Sequence, residues 1–128
     1  MTRTVLIIED NEQNRYLLTF LLERRGYEVR AAPDGPSGVE LARVFKPAII
    51  LLDVQLPTMD GYAVARALRA QEASAEIPIV AVTSYAMPGD REKAIAAGCT
   101  GYIEKPIDPE TFVKQMELAL VRAGGTIP

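Results

Sequence analysis

The amino-acid sequence predicts an α/β fold, a doubly wound sandwich in which five strands alternate with five helices around a parallel sheet. Three observations predict it. Five short β-type runs recur along the 128 residues, and most are apolar at every position, as in strands covered on both faces. Segments with apolar residues at helical spacing separate the runs. Glycines and prolines fall at the joints.

In chain order, the first strand spans residues 4–8, and the helix after it carries a stripe through Leu18, Leu21, Leu22 and Arg25. Gly26 follows that helix, where a residue at ease with positive φ suits the stop. Residues 27–32 form the second strand; Gly38, Leu41, Ala42 and Phe45 mark the second helix, and Pro47 follows it. The third strand covers 48–52 and leads, past Asp60 as cap, into a helix with the stripe Gly61, Val64, Ala65 and Leu68. Residues 77–82 form the fourth strand, its start interrupted by Pro78, and 89–97 a weaker, alanine-rich helix. The fifth strand is 101–103. Asp108-Pro109 then reads as cap and first position of a last helix over 109–121, with Phe112, Met116, Ala119 and Leu120 on one stripe. Strand then helix, five times over, implies right-handed crossovers.

Composition narrows the chemistry. One domain of this size buries roughly two-thirds of its unfolded surface and needs no covalent staples. Cys99 is the single cysteine, so it has no disulfide partner in the chain and reads as a small core residue. There is no histidine, which excludes Ser-His-Asp and Cys-His catalysis and His-ligated zinc. With 14 Lys+Arg against 17 Asp+Glu the balance is acidic, which argues against nucleic-acid binding, since that usually needs a basic face. No run approaches the about 18 apolar residues of a membrane span, and the apolar start is too short for a secretory signal. No nucleic acid, no membrane and a cytoplasmic location are expected.

Reactive groups of an open parallel sheet gather outside the carboxyl ends of its strands. Here the first strand ends in Glu9-Asp10, the third in Asp53, the fourth in Thr83-Ser84 and the fifth in Glu104-Lys105-Pro106. Of these, Glu9, Asp10 and Asp53 bring three carboxylates, Thr83 a hydroxyl and Lys105 an ammonium to one rim. Like charges this close disfavour each other's ionisation unless a cation neutralises them, and an all-oxygen set without histidine or a second cysteine favours Mg²⁺. An aspartate beside Mg²⁺ can attack phosphorus to form an acyl phosphate, with a lysine and a hydroxyl to hold phosphoryl oxygens.

The segments Val5-Leu-Ile-Ile-Glu-Asp-Asn, Ile49-Ile-Leu-Leu-Asp-Val-Gln-Leu-Pro-Thr-Met-Asp-Gly, Ile79-Val-Ala-Val-Thr-Ser-Tyr-Ala and Tyr102-Ile-Glu-Lys-Pro resemble the receiver domain of two-component response regulators. The similarity covers essentially the whole chain and is nearest to stand-alone receivers of the cell-division type, with Ala81-Val-Thr-Ser-Tyr-Ala-Met and Ala97-Gly-Cys shared with the receivers of hybrid kinases. It implies a flavodoxin-like sheet of order 2-1-3-4-5, with residues 1–123 as the receiver domain and 124–128 as a frayed tail. By the matching positions, Asp53 is the phosphoacceptor. Glu9, Asp10, Asp53 and the Gln55 carbonyl hold Mg²⁺, Glu9 through water more readily than directly because Asp is also common there. Thr83 and Lys105 bind the phosphoryl group. Tyr102 turns inward with Thr83 as a switch, and Lys105-Pro106 is joined by a cis bond. The expected partners are a histidine kinase or histidine phosphotransferase and a downstream protein that reads the face of the fourth helix, fifth strand and fifth helix. A monomer is expected, catalysing only its own phosphorylation and dephosphorylation.

Each residue has a plainer reading. Glu9 and Asp10 could cap the first helix, Asp53 could be a turn residue, Lys105 a solvated charge, and Tyr102 a core ring with a wet hydroxyl. Their combination at the right spacing outweighs these. Tyr16 and Phe20, an i,i+4 pair, fall off the first helix's core stripe and suggest a docking patch for a phosphotransfer helix, unless neighbours such as Arg15, Glu23 or Arg24 shield them. Rival functions are a phosphate sink, a phosphorylation-independent adaptor, and a Mg²⁺-dependent phosphatase. The last normally pairs its nucleophile with an acid two residues later, where this chain has Gln55.

Overall fold

The computed structural model describes residues 3–56, 59–84 and 88–122. The 124–128 tail lies outside the described residues, as do Ala123, Pro57 and the Tyr85-Ala86 pair of the third motif. The elements are β1 (Arg3–Ile8), α1 (Glu12–Arg24), β2 (Tyr27–Ala32), α2 (Gly35–Phe45), β3 (Ile49–Asp53), α3 (Gly61–Ala70), β4 (Ile79–Thr83), α4 (Asp90–Ala96), β5 (Gly101–Glu104) and α5 (Phe112–Arg122). All five strands pair in parallel in the order β2-β1-β3-β4-β5.

Strand alternation explains the apolar runs. Val5, Ile7, Ile49, Leu51 and Val80 pack on one face against α1 and α5, where Leu18, Leu22, Phe112 and Met116 meet them. Leu6, Ile8, Ile50, Leu52 and Ala81 point the other way, into Val64, Leu68 and Ala94 of α3 and α4. A residue on either face is buried, so no position of β3 is polar until Asp53. Each such Leu or Ile contributes about 1.5–3 kcal/mol of burial. Edge strand β2 lacks full cover, and its middle residues are exposed or half-buried.

Helix starts follow the local chemistry. Asn11, Asp34 and Asp60 cap α1, α2 and α3, each accepting a backbone N–H three residues on. The cap of α1 is therefore Asn11, which leaves Glu9 and Asp10 without that role. Gly26 closes α1 at φ +87°. Boundaries differ from the sequence reading at a few ends: β4 begins after Pro78, which has no N–H for the ladder. The last helix begins at Phe112 rather than at Pro109, because Asp108 first forms a turn, its Oδ1 accepting Glu110 N and its carbonyl accepting Thr111 N and Phe112 N. A 3₁₀ turn, Glu72–Ser74, precedes β4. Arg69 staples this lower edge by donating to the carbonyls of Ile77 at 2.7 Å and Gly98 at 2.9 Å. Cys99 is buried, and burial pushes its thiol up to about 11. No helix of the described residues is long and apolar enough to cross a membrane.

Tyr27 ties β2 to α5. Its ring is 3% exposed, its hydroxyl donates to Glu117 Oε2 at 2.9 Å, and burial, then the Glu117 carboxylate, push it up to about 12. The folded chain holds this phenolic proton more tightly than the unfolded chain does. The resulting stability is complete below the ordinary value of 10.0 and is lost as the pH rises through about 12. Denaturant titrations across that range should show wild type losing about 2–3 kcal/mol more than Tyr27→Phe; equal losses would remove Tyr27 from the alkaline transition.

Candidate functional site at the strand ends

Parallel pairing places the ends of β1, β3 and β4 side by side. Ile8 pairs with Leu52, Asp53 with Val82, and Thr83 with Glu104. The chain just beyond stays in register, since Glu9 N donates to Ala32 O at 3.0 Å, Val54 N to Val82 O at 3.2 Å and Lys105 N to Thr83 O at 2.7 Å. Gly61, tight against Val54, folds the β3–α3 loop back, and its N–H donates to Val54 O at 3.0 Å.

The sheet thereby collects the acids expected of it. One carboxylate oxygen each from Glu9, Asp10 and Asp53 lies within 4.8 Å of the others. Glu9 is 2% and Asp53 4% exposed, whereas Asp10 faces solvent. Lys105 Nζ sits 2.9 Å from Glu9 Oε1 and 3.5 Å from Asp53 Oδ2, a cation shared by the two buried carboxylates. Thr83 is buried at the end of β4. Gln55 joins the site twice: its N–H donates to Asp53 Oδ1 at 2.9 Å, and its Oε1 accepts from Ser84 Oγ at 2.8 Å. Its Nε2 is buried with no partner among the described residues.

Crowding shows in the titration of Glu9. Burial and, after it, the hydrogen bond and charge of Asp53 raise its carboxyl above the ordinary 4.5, against the opposing pull of Lys105. Folding thus favours protonated Glu9, a contribution complete below about pH 4.5 and lost as the pH climbs through the folded value. Lys105 moves the other way from its burial alone. Desolvation lowers it, but Glu9 and Asp53 together outweigh that and leave it raised, so it stays an ammonium at neutral pH. Excess negative charge, all-oxygen donors and half-open access fit a small hard dication. The donor set is of the kind that holds Mg²⁺ in receivers.

The remaining residues spread over two surfaces. Tyr102 pairs with Ala81, so its ring lies on the same sheet face as Ala81 and Thr83, and its hydroxyl is buried without a hydrogen-bond partner among the described residues. The Lys105-Pro106 bond is cis. Tyr16 and Phe20 stand off the acidic rim on α1, 75% and 48% exposed, with the Arg24 guanidinium 5.6 Å from the Phe20 ring centre. Phe20, Leu17, Arg24, Pro109 and Val113 line a concavity of about 440 Å³ between α1 and the start of α5.

Sequence reasoning missed Asn14 and Arg15. Asn14 Nδ2 donates to Glu9 Oε1 at 3.1 Å, and Arg15 Nη1 donates to the carbonyls of Glu9 at 2.8 Å and Asp10 at 2.9 Å. The signal that could have found them is the cap itself. With Asn11 as N-cap, residues three and four further on fall on the first turn beside the loop just before it.

Comparison with known proteins agrees with this geometry. A model described as "Response regulator receiver domain" matches residues 5–117. The polar-differentiation response regulator DivK of Brucella ovis is 41% identical over 117 residues, 91% of this chain and 95% of that one. The chemotaxis protein CheY4 of Vibrio cholerae superposes with a TM-score of 0.88 at 31% identity, over 94% of this chain and all of that one. The receiver domain of a sensor histidine kinase from Pseudomonas aeruginosa, with a magnesium ion coordinated in its active-site cleft, gives 0.83 at 33% identity, over 98% of this chain and 100% of that one. A parallel sheet with this strand order, acids at this rim and likeness along nearly the entire length leave one assignment: the chain belongs to the response regulator receiver family.

Proposed function

We propose that this receiver takes a phosphoryl group from the phosphohistidine of a histidine kinase or histidine phosphotransferase onto Asp53, in a Mg²⁺-dependent step, and passes the signal on by phosphorylation-dependent contact with a downstream protein. The observation that carries it is the meeting of three carboxylates within 4.8 Å under a lysine that already bridges two of them. Bound Mg²⁺ supplies charge neutralisation and a template for phosphoryl oxygens. Glu9, Asp10, Asp53 and the Gln55 carbonyl would hold it.

An Asp53 carboxylate oxygen attacks phosphorus, the new O–P bond forms as the histidine N–P bond breaks, and the electron pair leaves with the imidazole. Lys105 swings its ammonium from Glu9 toward a phosphoryl oxygen, and the Thr83 hydroxyl donates to another. The Gln55 N–H keeps Asp53 Oδ1 fixed, so that Oδ2 is the oxygen offered. As Thr83 is drawn to the anion, Tyr102 on the same sheet face follows, and α4, β5 and α5 favour a second arrangement that a partner binds better. Likeness to the polar-differentiation response regulator DivK over 95% of its length supports a regulator of the cell-division type. The test is labelling by acetyl phosphate: hydroxylamine-sensitive label should form with Mg²⁺ and vanish with EDTA, and label that ignores EDTA would refute the reading.

Tyr16 and Phe20 are the proposed docking patch for the phosphodonor protein, because they form an i,i+4 pair of exposed aromatics on α1 and Phe20 also lines the concavity beside α5. Replacing both by alanine should slow kinase-dependent phosphorylation roughly tenfold or more, as loss of two aromatic anchors does, and leave acetyl phosphate labelling intact. Wild-type rates from both donors would remove the patch.

A further inference from the structure

We propose that Asn14 is a positioning residue that keeps the Glu9 carboxylate oriented once Lys105 is drawn away from it, an inference that rests on Glu9, Asp10 and Asp53 forming the Mg²⁺ site. Glu9 Oε1 has two side-chain donors, which come from different parts of the chain: Lys105 Nζ at 2.9 Å and Asn14 Nδ2 at 3.1 Å. Oε2 receives the long contact of Asn11 N at 3.4 Å.

The two donors on Oε1 respond differently to a cation. Lys105 carries a positive charge between Glu9 and Asp53, so an arriving dication competes for the same oxygens and repels the ammonium at short range. Asn14 carries no charge, and nothing in the exchange drives it off. Glu9 is 2% exposed, so water does not readily replace the departed lysine. The Asn14 amide is then the remaining side-chain donor on Oε1 among the described residues, and it holds the Glu9 carboxylate in its present orientation beside the cluster. Arg15 fixes the main chain beneath by bonding the Glu9 and Asp10 carbonyls, so the side chain of Glu9 has little freedom except rotation about its own bonds. Outer partners of this kind set the orientation of metal-binding oxygens.

The experiment is calorimetric titration of Mg²⁺ into the unphosphorylated full chain, for wild type, Asn14→Ala, Asn14→Gln, Glu9→Gln and the double variant Asn14→Ala/Glu9→Gln. Asn14→Ala should weaken Mg²⁺ binding roughly tenfold while the metal-free melting temperature stays near wild type, because Lys105 still neutralises Glu9 in that state. Asn14→Gln, which keeps the amide, should recover most of the affinity. In the Glu9→Gln background Asn14→Ala should add nothing, since the residue acts through Glu9. Wild-type affinity in Asn14→Ala, or the same loss in both backgrounds, would overturn the proposal while leaving the metal site standing. Failure of wild type to bind Mg²⁺, or indifference to Glu9→Gln, would instead overturn the reading of the site and the proposal with it.

Discussion

Asp53→Asn is expected to take no phosphoryl label from acetyl phosphate and Mg²⁺ under conditions in which wild type is fully labelled, and to remain folded while doing so. The carboxamide is not a nucleophile toward phosphorus, so loss should be complete at the detection limit of intact-mass measurement. Stability should not suffer. Oδ1 survives the substitution and still accepts the Gln55 N–H at the position where Asp53 now takes it at 2.9 Å. The charge that is removed is one that raises Glu9, so its removal relieves the metal-free site, and the melting temperature without Mg²⁺ should match or exceed that of wild type. The Glu9 carboxyl should fall back toward the ordinary 4.5 as well. A folded Asp53→Asn that still forms hydroxylamine-sensitive label would move the acceptor to Asp10 or Glu9.

The same reasoning shows why this chain was easy to read at some positions and opaque at others. Ile49–Asp53 is legible because both faces of a central parallel strand are buried, so the sequence stays apolar until the first residue that must reach the rim. Asp53 is therefore visible twice, as the end of the run and as the beginning of the chemistry. The start of α5 was less legible. Asp108-Pro109 has the composition of a cap and first position, but Asp108 spends its side chain and carbonyl on a turn over Glu110, Thr111 and Phe112. Asn14 and Arg15 were opaque for another reason. On a helix surface a polar pair reads as solvated unless the Asn11 cap is recognised first, and the path of the β1–α1 loop then turns both back to Glu9. Helical angle placed Tyr16 and Phe20 off the core stripe but left open whether long neighbours shield them; Arg24 does rest over the Phe20 ring, yet both aromatics stay exposed.

Gly61→Ala is the substitution expected to cost the fold most for the fewest atoms added. In an ordinary helix position this exchange stabilises by about 0.5–1 kcal/mol, because glycine loses more freedom on folding. Here the sign should reverse. A Cβ on Gly61 would lie 2.2 Å from Val54 Cα and 2.9 Å from the Asp53 carbonyl oxygen, and these are main-chain atoms that cannot rotate aside. Val54 is itself held by Val82 through its N–H and by Gly61 through its carbonyl, so the clash must be relieved by moving either the loop or the start of α3. The second option breaks the Asp60 cap on Ala63, at 2.9 Å. The expected loss is about 3 kcal/mol or more, a fall of roughly 10 °C or more in melting temperature. Gly89→Ala is the comparison. It has open space around it and strain only from φ +89°, worth about 1–2 kcal/mol. Because the displaced loop carries Gln55 and follows directly on Asp53 at the end of β3, Gly61→Ala should also label more slowly with acetyl phosphate at temperatures where it is still folded, and Gly89→Ala should not. Equal stability of the two variants would mean that the β3–α3 loop yields freely, and that the close approach of Gly61 to Val54 does not hold the acceptor in place.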